Sequence, residues 1–351
     1  MAKQTSDTKK TGALQKLKAD LASGTVGCAY VFHGEESYLR EYYLGELRKT
    51  LVPAGFEEFN YHRLEGKDLT AQTLSEIAEA MPMMAERTLV VVTDLDLFKM
   101  PEDQRERMIA FFEDIPPYCC VVFVYDTIPY KPNGTMKKLN KTIGDHVQVV
   151  EFKAADSSDL IPWIVRRFRA LDKDIDRAAA EYLIFLCGGL MTGLVPEIQK
   201  IAAYAKGKTI TQKDIDAVAD PVLSAETFKL ADAVIKGERD RAASILGDLL
   251  KMQTEPFMIL GALGSQLRRL YTARIAIDSG KDKYWVMELW GMKSDYQAKI
   301  LLSAARQATS DWCADAVKQC QVLDRRMKSE KGIDGAGELK LLLVRLGARR
   351  T

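Results

Sequence analysis

The chain has 351 residues, 47% of them hydrophobic and 28% charged, enough for two or three domains with a core each; this excludes a single small module or a disordered chain. With 50 Lys and Arg against 49 Asp and Glu the net charge is +1, so no global field draws the chain to nucleic acid or an anionic membrane, and any such affinity is local. Cysteines at 28, 119, 120, 187, 313 and 320 form no C-x-x-C pair, which points to a reducing compartment and free thiols rather than zinc or disulfides.

The opening MAKQTSDTKKTG reads as a polar tail. No stretch reaches the roughly 18 apolar residues of a membrane span, so a cytoplasmic location is expected. From residue 13 to about 152, the runs CAYVFH, EFNYHR, TLVVVT, CVVFVYD and VQVVEF alternate with segments long enough to cross over, the grammar of a mainly parallel sheet. Tyr38, Tyr42, Leu44 and Leu47 recur at helical spacing after the first run, and Thr73, Leu74, Ile77 and Ala80 mark a helix before the third. TLVVVT and VVFVYD are apolar enough to be buried on both faces and therefore central.

Strand signals stop after Phe152, and residues 154–159 read as a linker. Three helices follow, through Trp163 and Phe168, from Ile175 to Cys187 and from Leu194 to Ala205, and Thr211 is placed to cap a short fourth. Beyond Pro221, six segments carry helical periodicity and predict a compact all-α region. Within it Trp312, Ala316, Cys320, Leu323 and Met327 share one face, Gly237 ends the first helix, and Ser294 with Gln297 forms a capping-box pattern.

GEESYLRE, at 34–41, lies where a strand–turn–helix unit would hold a nucleotide phosphate. A P-loop needs Gly-Lys-Ser/Thr there, so that backbone N–H groups and the lysine reach the phosphates and the hydroxyl binds magnesium. After Gly34 those three slots hold Leu39, Arg40 and Glu41, and Glu35 and Glu36 add charge that repels a polyphosphate. After TLVVV the chain has Thr93, Asp94 and Leu95, without the glutamate that would orient an attacking water, so Asp94 is expected to cap a loop rather than bind magnesium. No cofactor, metal or catalytic residue is predicted.

Four stretches, in order along nearly the whole chain, resemble one family, the delta subunit of the bacterial DNA polymerase III clamp loader. YVFHGEESYLREYYLGELR is similar to its first strand and degenerate phosphate-loop helix, and AMPMMAERTLVVVTDLD to the entry into its third strand. GGLMTGLVPEIQKIAAYAKGKTITQKDIDAVAD resembles its lid, and ELWGMKSDYQAKILLSAARQATSDWCADAVKQCQVLDRRMKS its collar. The resemblance implies an α/β, AAA+-like domain with a five-stranded parallel sheet over 1–155, a helical lid over 156–220 and an all-α collar over 221–351. It implies a polymerase-holoenzyme subunit with no ATPase of its own, which grips the ring-shaped sliding clamp (beta), favours the opened ring, and assembles with delta-prime and gamma/tau subunits around primer-template DNA.

In that family the grip is an apolar pair on the loop before the third strand, and Pro82, Met83 and Met84 stand there. Two adjacent methionines are out of character for a surface loop, although from the residues alone either could tuck under the sheet. Methionine in place of the family's commoner Leu-Phe or Phe-Phe leaves affinity and pocket depth open. Burying both thioethers in a partner would contribute roughly 1.5–3 kcal/mol each before ordering costs.

Tyr284, Trp285, Trp290 and Tyr296, near Lys281, Lys283 and Lys293, are candidates for DNA contact, with collar packing the weightier explanation. Lys137, Lys138 and Lys141 read as a solvated helix face, and His33, His62 and His146 have no ligand or triad spacing. Two other identities compete: an active AAA+ ATPase, disfavoured by positions 39–41 and 95 and by the absence of a lid arginine at 191–193, and delta-prime, disfavoured by the absence of a Ser-Arg-Cys motif and zinc cysteines.

Overall fold

The computed structural model describes residues 2–292 and 295–348, with side chains from residue 12 onward. Two compact units divide at Ala154/Ala155, and the short segment Leu190–Thr192 groups with the first.

In the first unit the elements run α1 (Ala2–Ser23), β1 (Ala29–His33), α2 (Ser37–Leu51), α3 (Glu57–Asn60), β2 (Tyr61–Glu65), α4 (Ala71–Glu79), β3 (Thr88–Thr93), α5 (Glu102–Glu113), β4 (Cys119–Val124), α6 (Lys137–His146) and β5 (Gln148–Glu151). All five expected strands are present, and they pair in parallel in the order β2-β3-β4-β1-β5. β3 and β4 are buried throughout, as their apolar runs require.

The two-residue period of the strands sorts their side chains between two cores. Val31, Val90, Val92, Val121 and Phe123 face Leu74, Met108, Phe112 and Ile143 from α4, α5 and α6. Tyr30, Phe32, Leu89, Val91 and Val122 face Leu17, Leu44 and Leu47 from α1 and α2. Because β1 lies between β4 and β5, the winding reverses beside it, which places the switch point of the sheet at the C-terminal end of β1.

Two details differ from the sequence reading. Helix α1 begins at Ala2, inside the stretch read as a tail. The run EFNYHR is only half strand: residues 58–60 close the short helix α3, where the Asn60 amide donates back to the Phe56 carbonyl at 3.0 Å.

The second unit runs α7 (Ser157–Ala170), β6 (Asp174–Ile175), α8 (Arg177–Cys187), α9 (Met191–Tyr204), β7 (Thr209–Ile210), α10 (Gln212–Val218), α11 (Leu223–Lys236), α12 (Arg239–Lys251), α13 (Pro256–Asp278), α14 (Lys283–Trp290), α15 (Asp295–Ala305), α16 (Ser310–Ser329) and α17 (Gly335–Ala348). Thr211 does cap α10, in a reciprocal capping box with Asp214, and Gly237 ends α11 in the left-handed conformation. The six periodic segments beyond Pro221 are all helical; α14 is a seventh, too short at 8 residues to carry a clear period. Leu260, Leu263, Leu267 and Leu270 make α13 the buried spine, and Ala316, Cys320 and Leu323 of α16 join the same core. The predicted capping box at Ser294 lies outside the described residues.

Candidate functional site

The turn after β1 has the shape of a phosphate loop and none of its vacancy. Gly34 adopts φ +120°, and a Cβ there would sit 2.7–2.8 Å from the backbone C and N of Phe152, so glycine serves close packing of this turn on the end of β5. The Glu36 N–H donates to the Phe152 carbonyl at 3.0 Å. Its carboxylate is fully buried and accepts the Met191 N–H at 2.9 Å and the Thr192 hydroxyl at 3.3 Å. Thr192 Oγ1 in turn accepts the Tyr38 N–H at 3.1 Å and lies 2.8 Å from Ser37 Oγ. The Ser37 and Tyr38 N–H groups that open α2, which would otherwise attract an anion, are thus met by protein groups.

Arg40, in the slot of a P-loop lysine, is buried; it donates to the Gly34 carbonyl at 3.0 Å and forms an ion pair with Asp126 beyond β4. Leu39 packs against the core of the α1/α2 face, and Glu41 is exposed. Asp94, leaving β3 at φ +56°, accepts the Asp126 N–H at 2.7 Å, the Thr127 hydroxyl at 2.6 Å and the Thr127 N–H at 3.1 Å. Burial would raise its pKa, but the hydrogen bonds from the Thr127 side chain and from the Asp126, Thr127 and Ile128 N–H groups outweigh that and hold the carboxyl below its ordinary range. Asp94 is therefore a loop cap, as its missing partners suggested.

At the opposite end of β3 lies the apolar loop. Helix α4 ends at Glu79, where Ala80 turns extended, and Pro82 lacks the N–H that a continued helix would need. Met83 and Met84 are 49% and 75% exposed, and Met81, which the sequence reading passed over, is 75% exposed. Neither Met83 nor Met84 tucks fully under the sheet. Met84 holds φ +54°, a conformation costly for a side chain of its size.

Three anchors fix this loop. Before it, the Tyr118 hydroxyl donates to the Glu79 carbonyl at 3.0 Å. In its middle, Asn60 is fully buried: its Oδ1 accepts the Met83 N–H at 2.8 Å and its Nδ2 donates to the Met83 carbonyl at 2.8 Å. After it, Arg87 donates to the carbonyls of Val26, Gly27 and Cys119, the last two at 3.0 and 3.1 Å. The sequence signal for Asn60 was a strand-poor amide inside the run EFNYHR, visible but ambiguous.

The other candidates take packing or surface roles. Trp285 and Trp290 pack on the helical core, the Arg269 guanidinium lies 5.5 Å from the Trp290 ring, and Tyr296 meets Phe185 edge-on at 6.0 Å. Tyr284 is exposed, with Lys283 Nζ 4.9 Å from its ring, while Lys283 also pairs with Asp295 at 2.5 Å; Lys293 lies outside the described residues. Lys138 pairs with Glu106 at 2.6 Å, and His33 lies 4.9 Å from the Tyr130 ring. Burial pushes the Cys187 and Cys320 thiols up to about 12 and Cys313 to about 11, so they act as packing groups, not nucleophiles. Among the described residues no three His, Cys, Asp or Glu groups converge to hold a metal, and no single helix is long and apolar enough to cross a membrane.

Comparison with known proteins covers both units. The family model described as DNA polymerase III, delta subunit, matches residues 30–153, and that described as DNA polymerase III delta subunit, C-terminal domain, matches 224–346. The chain is 25% identical over 343 residues to DNA polymerase III subunit delta of Bacillus subtilis, spanning 93% of this chain and 94% of that one. It is 24% identical over 275 residues to a probable DNA polymerase III subunit delta of Aquifex aeolicus, 76% of each chain. The solved Bacillus subtilis DNA clamp loader delta protein superposes with a TM-score of 0.55 at 24% identity, over 95% of this chain and 99% of that structure. With both family models matched in order on an AAA+-like sheet and a helical C-terminal region, the chain belongs to the delta-subunit family of the DNA polymerase III clamp loader.

Proposed function

We propose that this chain binds the sliding clamp through Pro82, Met83 and Met84 and favours the opened ring, without hydrolysing ATP. The observation that carries the reading is an apolar loop tip that stays exposed while the chain is anchored before, within and after it. A loop free to collapse would bury such side chains against its own domain. Opening the ring needs no chemistry here: a protein that binds the sprung ring more tightly than the closed one shifts the equilibrium by that difference. By linkage, any ATP-driven change in partner subunits that improves access to the loop strengthens clamp capture, and clamp capture favours that state equally.

The phosphate turn supports the passive role, because Arg40, in the slot of the phosphate-binding lysine, is committed to the Gly34 carbonyl and Asp126, and the Glu36 carboxylate to Met191. In this reading residues 1–155 form the AAA+-like domain, 156–220 the lid and 221–351 the collar that joins delta-prime and gamma/tau subunits. Primer-template DNA is met in the cytoplasm through the assembled loader. The test is co-elution with the sliding clamp of the same organism: Met83→Ala with Met84→Ala is expected to abolish it while folding and loader assembly persist. Co-elution equal to wild type would remove the assignment.

A further inference from the structure

We infer that Asn60 is the positioning residue of the docking loop: its buried carboxamide clasps the Met83 main chain and presets the loop with the thioethers facing outward. This role rests on the clamp-docking reading above. Asn60 closes α3 beside β2, and β2 neighbours β3, so its side chain reaches the loop that leads into β3. Its Oδ1 takes the Met83 N–H and its Nδ2 gives one hydrogen to the Met83 carbonyl and another to the Phe56 carbonyl, at 2.8, 2.8 and 3.0 Å.

The amide orientation follows from these partners, because the flipped amide would set NH2 against the Met83 N–H and oxygen against two carbonyls. A side chain is thus doing for one residue what a neighbouring strand does in a ladder, pairing with both its main-chain groups.

Only the main chain of Met83 is held by this clasp, and the side chain remains half exposed. Folding the loop inward would abandon both bonds and leave the buried carboxamide with only its Phe56 partner, so the clasp opposes the collapse that an apolar tip otherwise favours. It also removes backbone freedom before the partner arrives. Ordering one residue on binding is worth roughly a ten-fold change in affinity, which the clasp supplies in advance.

The test compares Asn60→Asp with wild type for affinity to the sliding clamp, each with Met83 intact and with Met83→Ala. Asp keeps the acceptor for the Met83 N–H but turns a second oxygen toward the two carbonyls. Clamp binding is expected to weaken roughly ten-fold when Met83 is present and less than three-fold on the Met83→Ala background. Equal loss on both backgrounds, or no loss with Met83 present, overturns the role.

Amide exchange on the wild-type chain gives a second measure that needs no variant and decides the matter if Asn60→Asp does not fold. The Met83 amide is expected to exchange at least a hundred-fold more slowly than an unstructured peptide; exchange at the free rate overturns the clasp. A Met83→Ala/Met84→Ala chain that binds the clamp normally refutes the docking reading itself, and this role with it. Lost binding there with unchanged Asn60→Asp affinity refutes only the positioning role.

Discussion

Replacing Asp94 with Asn separates a structural cap from a vestigial metal ligand. Asn accepts φ +56° as readily as Asp, so the exchange leaves the backbone conformation unstrained and changes only the charge and the acceptor count. The carboxylate receives its two shortest bonds at 2.6 and 2.7 Å, from the Thr127 hydroxyl and the Asp126 N–H. Charge-assisted bonds of this kind contribute about 1.5–3 kcal/mol each. The Asn oxygen retains the Asp126 N–H, while its NH2 can donate to the Thr127 hydroxyl but meets the Thr127 N–H as a donor; at this partly exposed site the expected net loss at neutral pH is about 1 kcal/mol, and Asp94→Ala should lose about 1 kcal/mol more through the left-handed backbone.

Acid gives the discriminating control for this prediction. Because folding lowers the Asp94 pKa, its stabilisation is complete above the ordinary value of 3.8 and disappears as pH falls through the folded value. Urea unfolding of both chains at pH 7, 5 and 3.5, with amide exchange at Asp126 and Thr127 as the local probe, should show a constant difference at the first two and a smaller one at the last. Magnesium and ATP should alter neither chain. An unchanged gap at acid pH, or stabilisation of wild type alone by Mg-ATP, would refute the reasoning.

Two further substitutions test the framework around the site. Gly66 lies so close to the turn after β3 that a Cβ would meet the Leu95 Cα at 2.5 Å and the Asp94 carbonyl carbon at 2.7 Å; Gly66→Ala should destabilise the α/β unit by about 1–3 kcal/mol in denaturant titration. Met84→Gly relieves a left-handed residue, so thermal stability should stay level or rise by as much as about 1 kcal/mol, whereas clamp affinity falls; a matched loss of both would show that Met84 serves the fold instead.

The anchored, exposed loop and the Asp94 loop cap occupy opposite ends of one strand. Thr88 follows the methionine loop and Thr93 precedes Asp94, so β3 links the two ends over 6 residues, about 20 Å. The same strand that would carry a catalytic carboxylate in an ATPase here ends in a loop cap, and its entry carries the exposed Met83 and Met84. Change of function on a retained sheet needs only altered residues at the strand ends, because the buried runs between them are constrained by packing on both faces.

Local pattern was enough for the strands and most helices: a two-residue or 3.6-residue period reports which face is buried, and TLVVVT or the α16 face leaves no competing period. The departures of Leu39, Arg40 and Glu41 from a P-loop were equally legible, since phosphate binding makes strict local demands. Short α14 and the helical start of EFNYHR escaped because one or two turns carry too few residues for a period. What fills the phosphate turn and what holds the methionine loop could not be read locally. Glu36 meets Met191 and Thr192 across some 155 positions, and Asn60 meets Met83 across 23. Such partners are brought together by chain crossovers, and a polar side chain's role depends on which main-chain groups the fold leaves unpaired beside it.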